Sequence, residues 1–415
     1  MRPSNLIPIF ALVAALLPAA GFTQSLTLED AVLRALASHP ALQAEEFSLR
    51  AAERRADLAA LSPALTIGGE VENVAGTGEL RGLDAAETTL RVARVFELGR
   101  KRQLRRQAGT ASVDLHRNTQ DQRRVAVIAD TTRRYVQLVS TQEVLGLRSS
   151  SLQLARENAE AVAHRVERGR ASESDRVLAD LEVVRAELSL EDATHEMDAA
   201  RVSLSVLWGD TAATFDRVSG HLEPLPPIPL WTAVTASLDA SPGLLVYTLE
   251  DRSLAALGSL ARAEGIPDLT ASLGVRRLEA IDDQALVLSL SVPVGLRSRS
   301  ALALEENRLQ RKALDARREA ARLEFHQLLY ARYRELEHAA HEVASTRDEM
   351  IPRAEQALKL VQRGYEDARY SFLEVVQARA LLLDLKDQHI DAAARFHQVL
   401  ADIQQLTALS GELQP

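Results

Sequence analysis

The chain has 415 residues, of which 26% are charged and 4% aromatic, with a formal net charge of −9 and no cysteine. The length allows two or three domains, but so few aromatics argue against one large compact core. The negative balance gives no support to a nucleic-acid partner, and without cysteine there is no disulfide, thiolate metal site or cysteine-linked lipid anchor.

Residues 1–21 read as a secretory signal peptide: Arg2, an apolar stretch from Leu6 to Leu17, then small residues, with cleavage near Ala20 or Gly21. A short membrane anchor is the alternative, but the stretch is short for a span and contains Pro8. No later segment is long and apolar enough to be a transmembrane helix, which argues against an inner-membrane protein.

Two repeats follow, 22–228 and 229–415. Each opens on a similar helix start, SHPAL (38–42) and SPGLL (241–245). In the first, LTIGGEVE (65–72) and TTLRVARVF (88–96) flank a Gly-rich turn, giving a hairpin at about 65–96. Helices are expected at about 100–168 and 172–208. A proline cluster (Pro224, Pro226, Pro227, Pro229) then links the halves. In the second repeat, LTASLGV (269–275) and ALVLSLSVPV (285–294) alternate apolar with small or polar residues, giving a hairpin at about 269–294. Helices are expected at about 299–367 and 371–409, the first kinked locally by Pro352.

The halves match at one constant offset: Val162, Glu167, Arg170, Ser172, Val177 and Ala179 fall on Val361, Glu366, Arg369, Ser371, Val376 and Ala378. This is a duplication of one supersecondary unit rather than a short-period solenoid. The longest helical stretches would run ~100 Å at 1.5 Å per residue, so they must pack lengthwise as coiled coils. The hairpins admit two readings, a small soluble sheet packed on helices or membrane-spanning strands. Four strands cannot close a barrel and open edges cannot face lipid, so membrane strands would require several chains to share one barrel. Three chains would supply twelve strands.

Ser172-x-x-Asp175 and Ser371-x-x-Glu374 are both capping-box patterns, so each marks a tight turn followed by a fresh helix start; a mere kink is the alternative. Gly169 relaxes the backbone where the first long helix must end. No nucleotide-loop, nucleophile-elbow or zinc-protease motif occurs. His338-x-x-His341-Glu342 could place ligands on one helix face but offers no evident third ligand. We expect no enzyme activity and no cofactor.

The duplicated halves, the two hairpins, the long helices and the two turns resemble the TolC-type outer-membrane efflux proteins, across essentially the whole mature chain. The run FELGRKR (96–102) and the tract IPRAEQALKLVQRGYEDARYSFLEVVQAR (351–379) are similar to the branch serving heavy-metal efflux pumps. The resemblance implies a mainly α chain with a small β part. It implies a homotrimer in which a twelve-stranded barrel in outer-membrane lipid continues as a periplasmic α-helical barrel. The implied partners are a periplasmic membrane-fusion adaptor and an inner-membrane RND-type pump. The two turns would form the periplasmic tip, with Gly169, Arg170, Ala171, Ser172, Ala368, Arg369 and Ser371 docking the adaptor. The closing network of the tip would fall on Asp175 and Tyr365. The arginine of that network falls on Tyr370, so its ionic link cannot form here. The two acidic constriction positions fall on Glu374 and Gln377, leaving one ionisable ring, which would still concentrate negative potential at the mouth. The glycine of the second turn is Ala368.

The expected function is a passive exit duct for heavy-metal cations. The alternatives are a duct for small organic compounds or type I secretion, a soluble periplasmic coiled-coil adaptor or scaffold, and a periplasmic enzyme with a helical domain.

Overall fold

The computed structural model describes residues 25–407, so the expected signal peptide at 1–21 and the end of the last helix lie outside the described residues. The element order is α1 (Leu28–Ser38), α2 (Pro40–Ala59), β1 (Thr66–Glu72), β2 (Glu87–Phe96), α3 (Lys101–Glu167), α4 (Glu173–Ser205), α5 (Trp231–Leu238), α6 (Pro242–Glu264), β3 (Leu269–Leu278), β4 (Asp283–Ser291), α7 (Leu296–Ser345), α8 (Ile351–Glu366) and α9 (Phe372–Thr407). The fold is mainly helical with one small antiparallel sheet, and its second half repeats the first: helix, hairpin, long helix, returning helix. Both α2 and α6 carry proline in their first turn, where the missing N–H costs nothing.

The four strands form one sheet in the order β1-β2-β3-β4. The register sorts its side chains by chemistry. Ile67, Val92, Leu273 and Leu288 form one cross-strand row, and Gly69, Leu90, Val275 and Leu286 the next row on that face. The opposite face carries Glu70, Thr89, Arg276 and Ala285 in a row, and Gly68, Arg91, Gly274 and Val287 beside it. Arg276 binds Glu87 at 2.7 Å, Glu72 at 3.0 Å and the Thr89 hydroxyl at 3.0 Å. Charges thus pair across the middle of one face, while the middle of the other is an apolar band with Arg94 and Arg277 at its ends. The outer edges of β1 and β4 have no partner strand among the described residues.

The run 96–102 is the joint between sheet and helices. Gly99 and Arg100 both take left-handed conformations and turn the chain from β2 into α3. Lys101, buried, pairs with Asp268 just before β3. Arg105 donates to the carbonyls of Ala59 (2.8 Å) and Leu61 (3.1 Å) at the end of α2 and pairs with Glu97. Arg102 donates to Ala60 at 2.7 Å. The joint therefore ties the first repeat to the second.

α3 runs unbroken for 67 residues, about 100 Å at the α-helical rise. In its counterpart the helix over 299–367, expected to kink locally at Pro352, is interrupted by a π turn: α7 ends at Ser345, a single wide π turn spans Thr346–Met350, and α8 resumes at Ile351. The cause is Pro352, which has no N–H and whose ring crowds the carbonyl four residues back; the wide turn absorbs both defects. The Thr346 hydroxyl donates to the Glu342 carbonyl at 2.8 Å.

Packing is concentrated in three clusters along the helices. One surrounds the middle of α3, where Tyr135, Leu138 and Val139 meet Leu204, Trp208, Phe215 and Val218. A second joins α5, α7 and α9 through Val234, Leu336 and Phe396. The third lies beside the two α-α turns. Elsewhere long stretches are bare. On α7, Leu302, Leu309, Leu323 and Tyr330 are exposed at heptad multiples, with exposed Ala316 filling the series. On α4, Val177, Leu181, Val184 and Leu188 are exposed at alternating spacings of four and three. Both read as coiled-coil seams without a covering helix among the described residues.

Candidate functional site

The turns α3–α4 and α8–α9 lie side by side and are built from the same two devices. Each long helix ends in a Schellman closure. In the first turn the Gly169 N–H donates to Val166 at 2.9 Å and the Arg170 N–H to Arg165 at 2.8 Å. In the second the Ala368 N–H donates to Tyr365 at 3.1 Å and the Arg369 N–H to Gly364 at 2.7 Å. Gly169 (φ 67°) and Ala368 (φ 58°) hold the left-handed position that such a closure demands. A capping box then starts the next helix. The Ser172 hydroxyl accepts the Asp175 N–H and the Asp175 carboxylate accepts the Ser172 N–H, both at 3.2 Å. Glu374 accepts the Ser371 N–H at 2.7 Å, and the Ser371 hydroxyl accepts the Glu374 N–H at 3.4 Å. These are chain reversals, not kinks.

Beneath them Val162, Ala179, Leu358, Phe372 and Val375 are buried together and join the two helix pairs. Tyr365 packs against this cluster, its ring centroid 5.6 Å from that of Phe372. Among the described residues its buried hydroxyl has no hydrogen-bond partner. Burial, and then the Asp175 carboxylate, push the Tyr365 phenol above its usual value. The structure thus brings Asp175 within electrostatic range of Tyr365 but joins them by no hydrogen bond; the carboxylate caps its own helix. Glu374, Gln377, Arg170, Ser172, Arg369 and Ser371 are exposed, and Ala171 is partly covered. Arg369 pairs with Asp367 inside its own turn. Tyr370 folds back onto α8: a Cβ on Gly364 would collide with its ring.

One residue of the site was not foreseen. Arg165, in the last turn of α3, lies over the Tyr365 ring with its guanidinium carbon 4.6 Å from the centroid. It also donates to the Tyr365 carbonyl at 3.2 Å. Nothing local in the sequence marks it, because its partner is some 200 residues away. Elsewhere, His338 and His341 are exposed on α7, and among the described residues no group of three or more His, Asp or Glu side chains is placed to hold a metal ion.

Residues 31–210 match the family model described as outer membrane efflux protein. The cobalt-zinc-cadmium resistance protein CzcC of Cupriavidus metallidurans is 26% identical over 311 residues, covering 75% of this chain and 74% of that protein. Among solved structures, a membrane protein from Pseudomonas aeruginosa aligns with a TM-score of 0.77 at 16% identity, over 92% of this chain and 90% of its own. CusC, described in connection with folding and transmembrane channel formation, aligns with a TM-score of 0.76 at 13% identity, over 97% of this chain and 99% of its own.

Proposed function

We propose, from the match of residues 31–210 to the outer membrane efflux protein model and the likeness to CzcC, that this chain is the passive exit duct of a tripartite metal-efflux pump. The sequence likeness to CzcC and the fold shared with CusC support this reading.

The observation that carries the reading is the sheet. The middle rows of one face form an apolar band, with Arg94 and Arg277 at its two ends, the other face is polar and ion-paired, and both edges lack a partner strand among the described residues. Such a sheet suits lipid on one side and water on the other once its edges are joined to those of further copies. The bare heptad seams of α4 and α7 favour the same arrangement, since only neighbouring helices would cover them. Three copies give twelve strands and a helical tunnel. The duct would span outer-membrane lipid and reach into the periplasm. A periplasmic membrane-fusion adaptor would meet the turns at 169–172 and 368–371, and an inner-membrane RND-type pump would supply the energy. Asp175, Tyr365, Tyr370, Glu374 and Gln377 would line the closed mouth. The relative's name favours heavy-metal cations as cargo, and a ring of Glu374 carboxylates would suit cations.

Two measurements test this. Light scattering on the detergent-extracted outer-membrane protein should give the mass of three chains; a single chain removes the shared barrel. Cells with pump and adaptor but without this chain should regain tolerance to cobalt, zinc and cadmium when it is restored. Restored export of an organic dye without metal tolerance would move the cargo to organic compounds.

A further inference from the structure

The two turns are copies in backbone but opposites in side chains. At the position three residues before each helix cap, α3 has Arg165 and α8 has Gly364; in the loops, the first turn has Ala171 where the second has Tyr370. Large and small are exchanged, and the geometry shows why both exchanges are needed. Tyr370 occupies the space that any side chain at Gly364 would fill. The second turn is thereby closed on itself. The first turn is free to reach outward, and Arg165 does so. Its guanidinium covers the Tyr365 ring at 4.6 Å and binds the Tyr365 carbonyl at 3.2 Å. That carbonyl also accepts the Ala368 N–H of the second Schellman closure.

We propose that Arg165 is the latch of the tip: a one-directional clamp from the first helix pair onto Tyr365 that holds α8 closed against α3. The proposal rests on the reading of these turns as the closed mouth of a duct. It assigns the cationic role to a residue of the first repeat, since position 370 holds a tyrosine that has turned away.

The latch is built to be released. The Arg165 Nε and the Tyr365 hydroxyl are both buried without a hydrogen-bond partner among the described residues. Leaving two such groups unpaired offsets part of what the stacked cation contributes. Movement of α8 would return both to water. Ring and carbonyl contacts break together because they belong to one residue, so the clamp has two discrete states.

The test is single-channel recording of the purified trimer in planar bilayers. Arg165→Ala should raise open probability by about tenfold, the effect of removing a desolvated cation–π contact and its hydrogen bond. Arg165→Lys, which keeps the cation but not the fork, should fall between. Arg168→Ala, an exposed arginine in the same turn, should behave as the parent chain. The thermal midpoint of the trimer should change little in any of them. If Arg165→Ala conducts like the parent while the double variant Asp175→Ala with Tyr365→Phe opens, the mouth stands and Arg165 is not its latch. If neither opens, the mouth is not at these turns and the latch falls with it. If Arg165→Ala opens only together with a collapse in thermal midpoint and Arg165→Lys does not rescue, the residue is structural and the proposal is overturned.

Discussion

Lys101 Nζ lies 2.8 Å from Asp268 Oδ1, and the same carboxylate oxygen accepts the Leu98 N–H at 3.0 Å. One oxygen thus fastens the start of the longest helix to the chain entering β3, across the boundary between the repeats. Burial alone would push the Asp268 carboxyl up, but Lys101, the Leu98 N–H and Arg105 together hold it below the usual carboxylate value.

A carboxyl held low in the folded state contributes stability that is present above its unfolded value and lost as pH falls through its folded one. The protein's resistance to heat should therefore decline below about pH 4. Asp268→Ala should abolish that part of the decline and cost about 3 kcal/mol at neutral pH, because it strands a buried ammonium. Thermal scans across pH would check both; an unchanged profile in the variant would remove Asp268 as the titrating group.

Ala368 adopts the left-handed conformation that Gly169 adopts in the equivalent turn. Ala368→Gly should stabilise the chain by about 1 kcal/mol, and Gly169→Ala should destabilise it by a similar amount through backbone strain alone, since no atom lies near the added methyl. Paired thermal or denaturant titrations of the two variants would measure this.

The face assignment of the sheet makes a directional prediction. Leu288→Arg places a charge in the apolar band and should cost about 2–4 kcal/mol in the membrane. Ser289→Arg, its neighbour on the polar face, should be tolerated. The readout is yield of heat-resistant trimer in the outer-membrane fraction; equal yields would mean that the face does not meet lipid.

At the proposed mouth, Asp175→Ala with Tyr365→Phe should raise conductance. Asp175 also caps α4, and losing a cap costs about 1 kcal/mol. Ser172→Ala separates the roles, since it weakens the cap and keeps the charge. Conductance rising in the double variant alone would assign the effect to the mouth; rising equally in Ser172→Ala, it would belong to the turn.

Features governed by neighbours in sequence were readable before the structure. The strands follow from strict alternation at Leu286, Leu288 and Leu290, and the turns from Ser172–Asp175 and Ser371–Glu374. The π turn was not, since Pro352 announces a defect without saying how the helix will absorb it. Arg165 was hidden for a different reason. An arginine in the last turn of a helix is ordinary, and its meaning arises only when two segments 200 residues apart fold beside one another. The heptad series on α7 lies in an unremarkable charged stretch and stands out only once its side chains are seen bare.

The π turn also gives the two halves different mechanics. α3 is one stiff rod from the sheet to its turn, whereas its counterpart carries a compliant point 16 residues from its end. Beyond that point α8 is a lever about 24 Å long, so a rotation of about 5° displaces its tip by about 2 Å.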